Sequence, residues 1–447
     1  MRPLVLLEAG LCGLILLAPL PFGSVGPSGR LALEVLALAL VAVWGLVAAT
    51  REVALPPVAA RIALLGLLAI PLVQLLPLPH GIVAAVSPRT DALRAGLSPV
   101  PDPTLSLAPD ATASALRTGA ALVGIVFVAT SVAAARGATR LALAGLVAAA
   151  FQGLYGTLVL ASGHARIWSV PKTAYLDDAT GTFVNHNHYA GFLAATLAPG
   201  IGLGIAFARR ARARSERKGT LLDALGPEGS RALLLGLLAL TGMAGLLLSY
   251  SRAGTALGLA AAAATGAVAL RARPLHRAAA IVLVLALAAI PLVDLGAEKL
   301  TARYAASAGD LGAAGGRLDV VRDTARMIAA LPAAGCGLGG FNGTFPAFAS
   351  PSITLHYTHA HDDLLQLGAE AGLPALALLA LGLAALARAG ARILGDATDP
   401  VAIGAVFGLG ALLLHGLVDF NFHIPANAAL AAVLAGVIFG ASWNAPR

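Results

Sequence analysis

The segment Gly181–Leu193, GTFVNHNHYAGFL, sets Asn185, His186, Asn187 and His188 at the mouth of an apolar run in a chain that is otherwise strongly hydrophobic. Polar side chains at that depth are costly unless they are partnered or do chemistry. The stretch reads as a membrane helix whose entrance is functional, and the rest of the chain is consistent with that reading.

Hydrophobic residues make up 58% of the sequence and charged residues only 12%, about half the charged share of a soluble domain. The chain is expected to be an all-α integral membrane protein. Lys and Arg outnumber Asp and Glu, 30 to 22. The excess sits in short loops between apolar runs and not along an aromatic-studded face, so it reads as membrane topology and not as a nucleic-acid surface. Cys12 and Cys336 fall in unrelated segments, and no disulfide is expected between them.

Apolar runs long enough to cross about 30 Å of hydrocarbon number roughly twelve. Their cores are Leu4–Phe22, Leu31–Ala49, Ile62–Leu78, Gly119–Ala135, Leu141–Leu160, Tyr189–Phe207, Ala232–Leu248, Gly254–Leu270, Ala278–Leu295, Leu364–Leu386, Val401–Leu417 and Ile424–Phe439. The first run carries Glu8 and lacks a small-residue cleavage site, so it is read as a span and not as a signal sequence. The expectation is one polytopic domain over residues 1–447 with a long, partly helical outer loop over 296–363. Alternating the spans from a cytoplasmic N-terminus puts the basic run Arg209, Arg210, Arg212, Arg214, Arg217, Lys218 and Arg231 inside, and both termini with it. On that topology GTFVNHNH, the turn LSYSRAG, the long loop and the VDFNFH turn all lie on the outer side.

Within the long loop, Leu318, Val321, Ala325 and Ile328 recur at helical spacing with Arg322 and Arg326 opposite, which predicts an amphipathic helix on the membrane surface ending at Pro332. GCGLGGF, Gly335–Phe341, satisfies a dinucleotide fingerprint literally, but no strand of a βαβ unit precedes it. It reads either as flexible backbone whose amides approach a phosphate or as a tight loop. Next, His356–Pro374 brings His356, His359, His361, Asp362 and Asp363 before an apolar run, with Gln366 and Glu370 continuing inward at four-residue spacing. Glu370 at that depth needs a partner or a wet cavity. No HExxH or cysteine pair accompanies these histidines, so no metal site is expected. Arg252 stands in a short outer turn where positive charge is disfavoured. A guanidinium flanked by Ser251 and Gly254 suits a phosphate, and the plain alternative is snorkelling to headgroups.

Five segments in order, GTFVNHNHYAGFL, YSRAG (Tyr250–Gly254), Arg317 followed by PAAGCGLGGF, HAHDDLLQLGAEAGLP (His359–Pro374) and HGLVDFNFHIPAN (His415–Asn427), resemble the bacterial O-antigen ligase and O-antigen polymerase superfamily of polyprenyl-diphosphate-dependent membrane glycosyltransferases. The resemblance implies a transferase of the GT-C type in the bacterial inner membrane, with no cofactor. Its partners would be an undecaprenyl-diphosphate-linked glycan, an acceptor glycolipid or growing polysaccharide, and membrane lipid. By position, Arg252 and Arg317 match the family's arginines, His361 the histidine that opens the following helix, and Asp419 the acidic residue of the late outer turn. Asp362 departs from the pattern, in which Asn or Ser is frequent.

A glycosyl diphosphate already carries a good leaving group. The protein has to hold the diphosphate, stabilise the growing charge and orient an acceptor hydroxyl. The expected catalytic residues are Arg252, Arg317 and His361, the last as a base or as an orienting group. Asn185, Asn187, His188, His359, Gln366, Glu370 and Asp419 are the expected substrate-binding residues. Direct attack would invert the anomeric carbon and needs no enzyme nucleophile. Ligase and polymerase readings stand side by side, and a lipid-linked glycan transporter is the reading from another class.

Overall fold

The computed structural model describes residues 2–95, 103–218, 226–270 and 316–443. It is a bundle of apolar helices: α1 Arg2–Leu17, α2 Pro27–Thr50, α3 Val58–Leu75, the short α4 His80–Val86 and α5 Pro88–Arg94, α6 Pro109–Arg136, α7 Thr139–Ala161, α8 His186–Lys218, α9 Pro227–Leu248, α10 Arg252–Ala269, α11 Arg317–Ala330, α12 Phe341–Thr344, α13 Asp363–Asp396, α14 Pro400–His415 and α15 Pro425–Trp443. A two-residue hairpin, Arg166–Ile167 with Val170–Pro171, is the sheet present among the described residues.

Eight of these helices are long and apolar enough to cross a membrane. Every expected core except the ninth falls on a helix, while Ala278–Leu295 lies outside the described residues. The first run stops at Leu17, short of Phe22, because Pro19 and Pro21 cannot continue the hydrogen-bond ladder and the chain turns through a 3-10 segment, Phe22–Ser24.

Lipid is as apolar as leucine, so contact between membrane helices depends on close approach of small residues. The chain supplies them where helices cross. A Cβ at Gly202 would collide with the Pro400 carbonyl, and one at Gly404 with the Ala198 backbone, which brings α8 and α14 into backbone contact. Gly436 and Gly440 of α15 face Ala129, Thr130 and Ala133 of α6 in the same way. A buried charge in the bundle is paired: the Glu8 carboxylate, 3% exposed, meets Arg136 at 2.6 Å and Arg140 at 2.7 Å. Between α3, α6, α13, α14 and α15 lies an apolar cavity of about 370 Å³, with Leu338 and Phe422 among its lining residues.

The chain between residues 316 and 362 builds a small core of its own with the start of α13. Val320, Met327 and Leu331 pack with Cys336, Phe341, Phe345, Ala360 and Ala369. The helix expected there forms as Arg317–Ala330, but its buried face is Val320, Asp323, Thr324 and Met327, while Leu318 is 47% exposed. Asp323 goes inside because it accepts hydrogen bonds from the Ser350 amide and hydroxyl at 2.5 and 3.0 Å and pairs with Arg326, an option that hydrophobic spacing does not register.

Candidate active site

Four chain segments meet at one end of the bundle: the loop entering α8, the turn between α9 and α10, the residues before α13, and the turn between α14 and α15. Hydrogen bonds lace them together. His186 Nδ1 lies 2.8 Å from the Ser249 carbonyl, the Asp363 amide donates to the Gly416 carbonyl at 2.8 Å, and His423 Nδ1 donates to Asp363 Oδ1 at 2.8 Å. Asn427 Nδ2 donates to the His188 carbonyl at 3.0 Å and to Asn421 Oδ1 at 2.9 Å, tying α15 to the start of α8.

Asp419 is the centre of this end, 2% exposed. His188 Nε2 stands 3.6 Å and His361 Nδ1 3.9 Å from its Oδ1, distances of ion pairing and not of direct hydrogen bonds. Burial alone would raise the Asp419 carboxyl, but the two flanking imidazoles and the Phe420 amide outweigh it and hold the group far below the ordinary carboxylate range. The neighbouring Phe420 ring is surrounded by imidazoles. His359 stacks on it at 4.3 Å, while His188 at 4.5 Å and His361 at 5.1 Å meet it edge to face. His359 is pushed down to about 3, by burial first and then by His423, so at ordinary pH it is a neutral stacking partner.

Asp362 and Asp363 have separate duties. Asp362 caps α13 by accepting the Leu364 and Leu365 amides, each at 2.9 Å. Asp363 receives His423 and the Phe422 amide, the latter at 3.1 Å. At the start of α8, Asn185 Oδ1 accepts the Asn187 amide at 2.8 Å, and Asn187 lies half-buried beside it.

The two arginines each open a helix. Arg252 follows Ser251, whose side chain accepts the Gly254 amide at 3.3 Å, and Gly254 is packed so closely that a Cβ there would lie 3.2 Å from His415. Arg317 opens α11. Tyr175, raised by burial and then by Asp419, is also under the influence of Arg317, which lowers it, and of Asp178. The phenol therefore lies within electrostatic reach of both Arg317 and Asp419. Both guanidiniums belong to exposed residues.

Gln366 and Glu370 are engaged with the protein itself. Gln366 Oε1 accepts the Ala360 amide at 3.0 Å, its amide group lies 3.2 to 3.3 Å from His359 Nδ1, and its Nε2 donates to Glu370 Oε1 at 2.9 Å. Glu370 in turn accepts the Gly339 amide at 2.7 Å and the Phe341 amide at 3.3 Å. The glycine-rich segment closes on itself and on the bundle: Gly335 donates to Leu331, Cys336 to Ala369, Gly337 to Glu370, Leu338 to Gln74 Oε1, and Gly340 to Gly337. Every amide from Gly335 to Phe341 thus has an acceptor within the chain, which settles the two readings of GCGLGGF in favour of a tight loop. Its positive-φ glycines are required by close approach. At Gly337, φ +102°, a Cβ would collide with Ser106. Glu370→Ala is expected to leave the buried Phe341 amide without an acceptor, at about 1–3 kcal/mol, to release the more exposed Gly339 amide as well, and so to lower the melting temperature in detergent. An unchanged melting temperature would show that the loop does not need the carboxylate.

Several site residues were missed in the sequence. Gln74 gave a signal, a lone amide inside an apolar run. Asp178 and Tyr175 gave none, because their roles arise from a loop that folds over the start of α8. Asn421, Phe420 and Asn427 lay within a segment already singled out, but only the acidic Asp419 attracted notice there.

The fold and this end of it define a multi-pass, helical membrane protein with an imidazole-carboxylate cluster at one end, and with two arginines that each open a helix. Residues 235–380 match the family model described as O-antigen ligase, which supports membership of the O-antigen ligase and polymerase superfamily and glycan transfer of that type. The matched stretch runs from α9 into α13 and holds Arg252, Arg317, His359, His361, Gln366 and Glu370. No curated protein matches the chain.

Proposed function

We propose that the chain moves a glycan from undecaprenyl diphosphate to an acceptor hydroxyl at the periplasmic face of the inner membrane, as a ligase joining preassembled polysaccharide to lipid A core. The observation that carries this reading is the convergence of His188, His361 and Asp419 at one end of an apolar bundle, where Arg317 and Asp419 both act on the Tyr175 phenol and the turn that opens with Arg252 packs against His415. Arg252 and Arg317 hold the diphosphate and offset the charge that grows as the sugar bond breaks. His361, set against Asp419, orients the acceptor hydroxyl for direct, inverting attack. The cavity between α3 and α13, walled by Leu64, Leu68 and Leu378 and reaching Phe422 of the outer turn, suits the isoprenoid chain of the donor.

Polymerisation of O-antigen or exopolysaccharide needs the same machinery with a second lipid-linked glycan as acceptor. Deleting the gene separates the two. Full-length polymer stranded on its lipid carrier is the expected result for a ligase, single repeat units mark a polymerase, and unchanged surface glycans would remove both. A transporter is disfavoured because the polar groups gather at one end and not near the midplane between two related halves.

A further inference from the structure

Arg30 is a third arginine at this end of the bundle, outside the stretch that matches the family model and outside the five segments singled out in the sequence. It stands in the first turn of α2, just before the apolar run that begins at Leu31. Packing fixes its place. A Cβ on Gly29 would lie 3.0 Å from Ser24 Cα, and one on Gly23 would lie 3.1 Å from Ile424 Cγ2, so the start of α2 rests on the turn Phe22–Ser24 and that turn rests on the residue before α15. Ile424 follows His423 directly. Arg30 accordingly lies within electrostatic reach of the His423 imidazole, on which Asp363 and Glu370 also act.

The acids around it are already engaged. Asp363 receives His423 at 2.8 Å and the Phe422 amide at 3.1 Å. Glu34, one turn further along α2, is buried and accepts the Thr118 hydroxyl at 2.5 Å, with Arg117 3.9 Å away. The Arg30 Nε is itself buried and has no hydrogen-bond partner among the described residues. A guanidinium partly removed from water calls for an anion. At the mouth of a membrane span the anion at hand is a lipid-borne phosphate.

A second lipid suits this position better than the donor, whose diphosphate is assigned above to Arg252 and Arg317. The rings of His423, His359, Phe420 and His361 follow one another at 4.8, 4.3 and 5.1 Å between centroids, a path that leads from the neighbourhood of Arg30 to the imidazole set against Asp419. One acceptor can meet both ends of it. Beside Arg30, Leu31, Val35 and Leu38 form an exposed stripe at helical spacing, an apolar lane along which an acyl chain can lie.

We propose that Arg30 binds a phosphate carried by the acceptor glycolipid and so brings the acceptor hydroxyl to His361. The proposal rests on the transferase reading above. Lipid A core and a lipid-linked glycan, the two acceptors weighed there, both carry phosphate. No bond is made or broken at Arg30, so its loss is felt in acceptor binding and not in the chemical step.

The test uses the full chain in proteoliposomes of zwitterionic phospholipid, with lipid-linked glycan and lipid A core extracted from host cells that lack the gene. Arg30→Gln keeps part of the stem and loses the charge. It is expected to raise the acceptor KM about tenfold or more, with donor KM and kcat within about threefold. Stripping the acceptor of its phosphate monoesters with a phosphatase is expected to raise the wild-type KM by a similar factor and to change little in Arg30→Gln, where the same contact is already gone. A phosphatase effect of equal size in both proteins would overturn the proposal and leave bulk phospholipid headgroups as the contact. A loss confined to donor KM would overturn it too, and would add Arg30 to the diphosphate grip. Should Arg30→Gln fail to elute from a sizing column as the wild type does, the wild-type chain still decides, since an unchanged KM on stripped acceptor sinks the assignment. No transfer at all by the wild type means that the transferase reading has failed. Transfer with an acceptor KM indifferent to Arg30→Gln means that only the acceptor contact is wrong.

Discussion

Replacing Arg252 by alanine is expected to lower glycan transfer by about 10²–10³, the scale for losing one charged donor aimed at a developing anion. Three features combine at this position. The guanidinium belongs to the first residue of α10, where the unsatisfied amides and dipole of an 18-residue helix favour an anion. Ser251 caps the helix through the Gly254 amide, and Gly254 is wedged against Ala190 and His415, so the turn has little freedom to shift. The same turn holds His186 through the Ser249 carbonyl. Arg252→Lys retains the charge but not the planar fork and is expected to fall between wild type and alanine. The measurement is transfer rate against donor concentration at matched protein level. An arginine that merely snorkels to headgroups would leave the rate unchanged on truncation, and that result would take Arg252 out of the mechanism.

Truncating His361 is expected to have an effect of similar size, and the choice of replacement separates two roles. With alanine, the ring opposite Asp419 and against Phe420 is gone, and transfer should drop by about 10²–10³ if the acceptor hydroxyl is oriented there. Asparagine keeps a donor and an acceptor on a short side chain and tolerates the left-handed backbone found at this position, φ +55°. If His361 only orients the hydroxyl, His361→Asn retains measurable transfer. A His361→Asn variant as inactive as His361→Ala would make His361 the proton acceptor. Wild-type rates in His361→Ala would exclude it from both roles.

Much of the fold was legible in composition and in the length of apolar runs, because a membrane span is specified by little more than unbroken hydrophobicity. The polar clusters were legible because a polar side chain in an apolar run is rare enough to notice one residue at a time. What sequence could not reveal was pairing across distance. Glu370 was recognised as needing a partner, yet its partners are backbone amides of a loop some thirty positions earlier, and an amide has no letter of its own. The side that α11 turns to the protein was not legible for a related reason. Asp323 looks like a solvent residue until Ser350 folds over to meet it. Asp178, in a loop without regular structure apart from a two-residue hairpin, offered no period from which to project its contact with His186.

Tyr250 and His361, which flank the proposed reaction centre from two different turns, both hold left-handed backbone angles, φ +53° and +55°, that side chains larger than glycine rarely adopt. Each such residue stores about 1–3 kcal/mol of local strain. The surrounding bundle meets that cost when the chain folds. Strain of this kind is held by the fold and not by the turns themselves, so neither turn, excised as a peptide, would keep its shape.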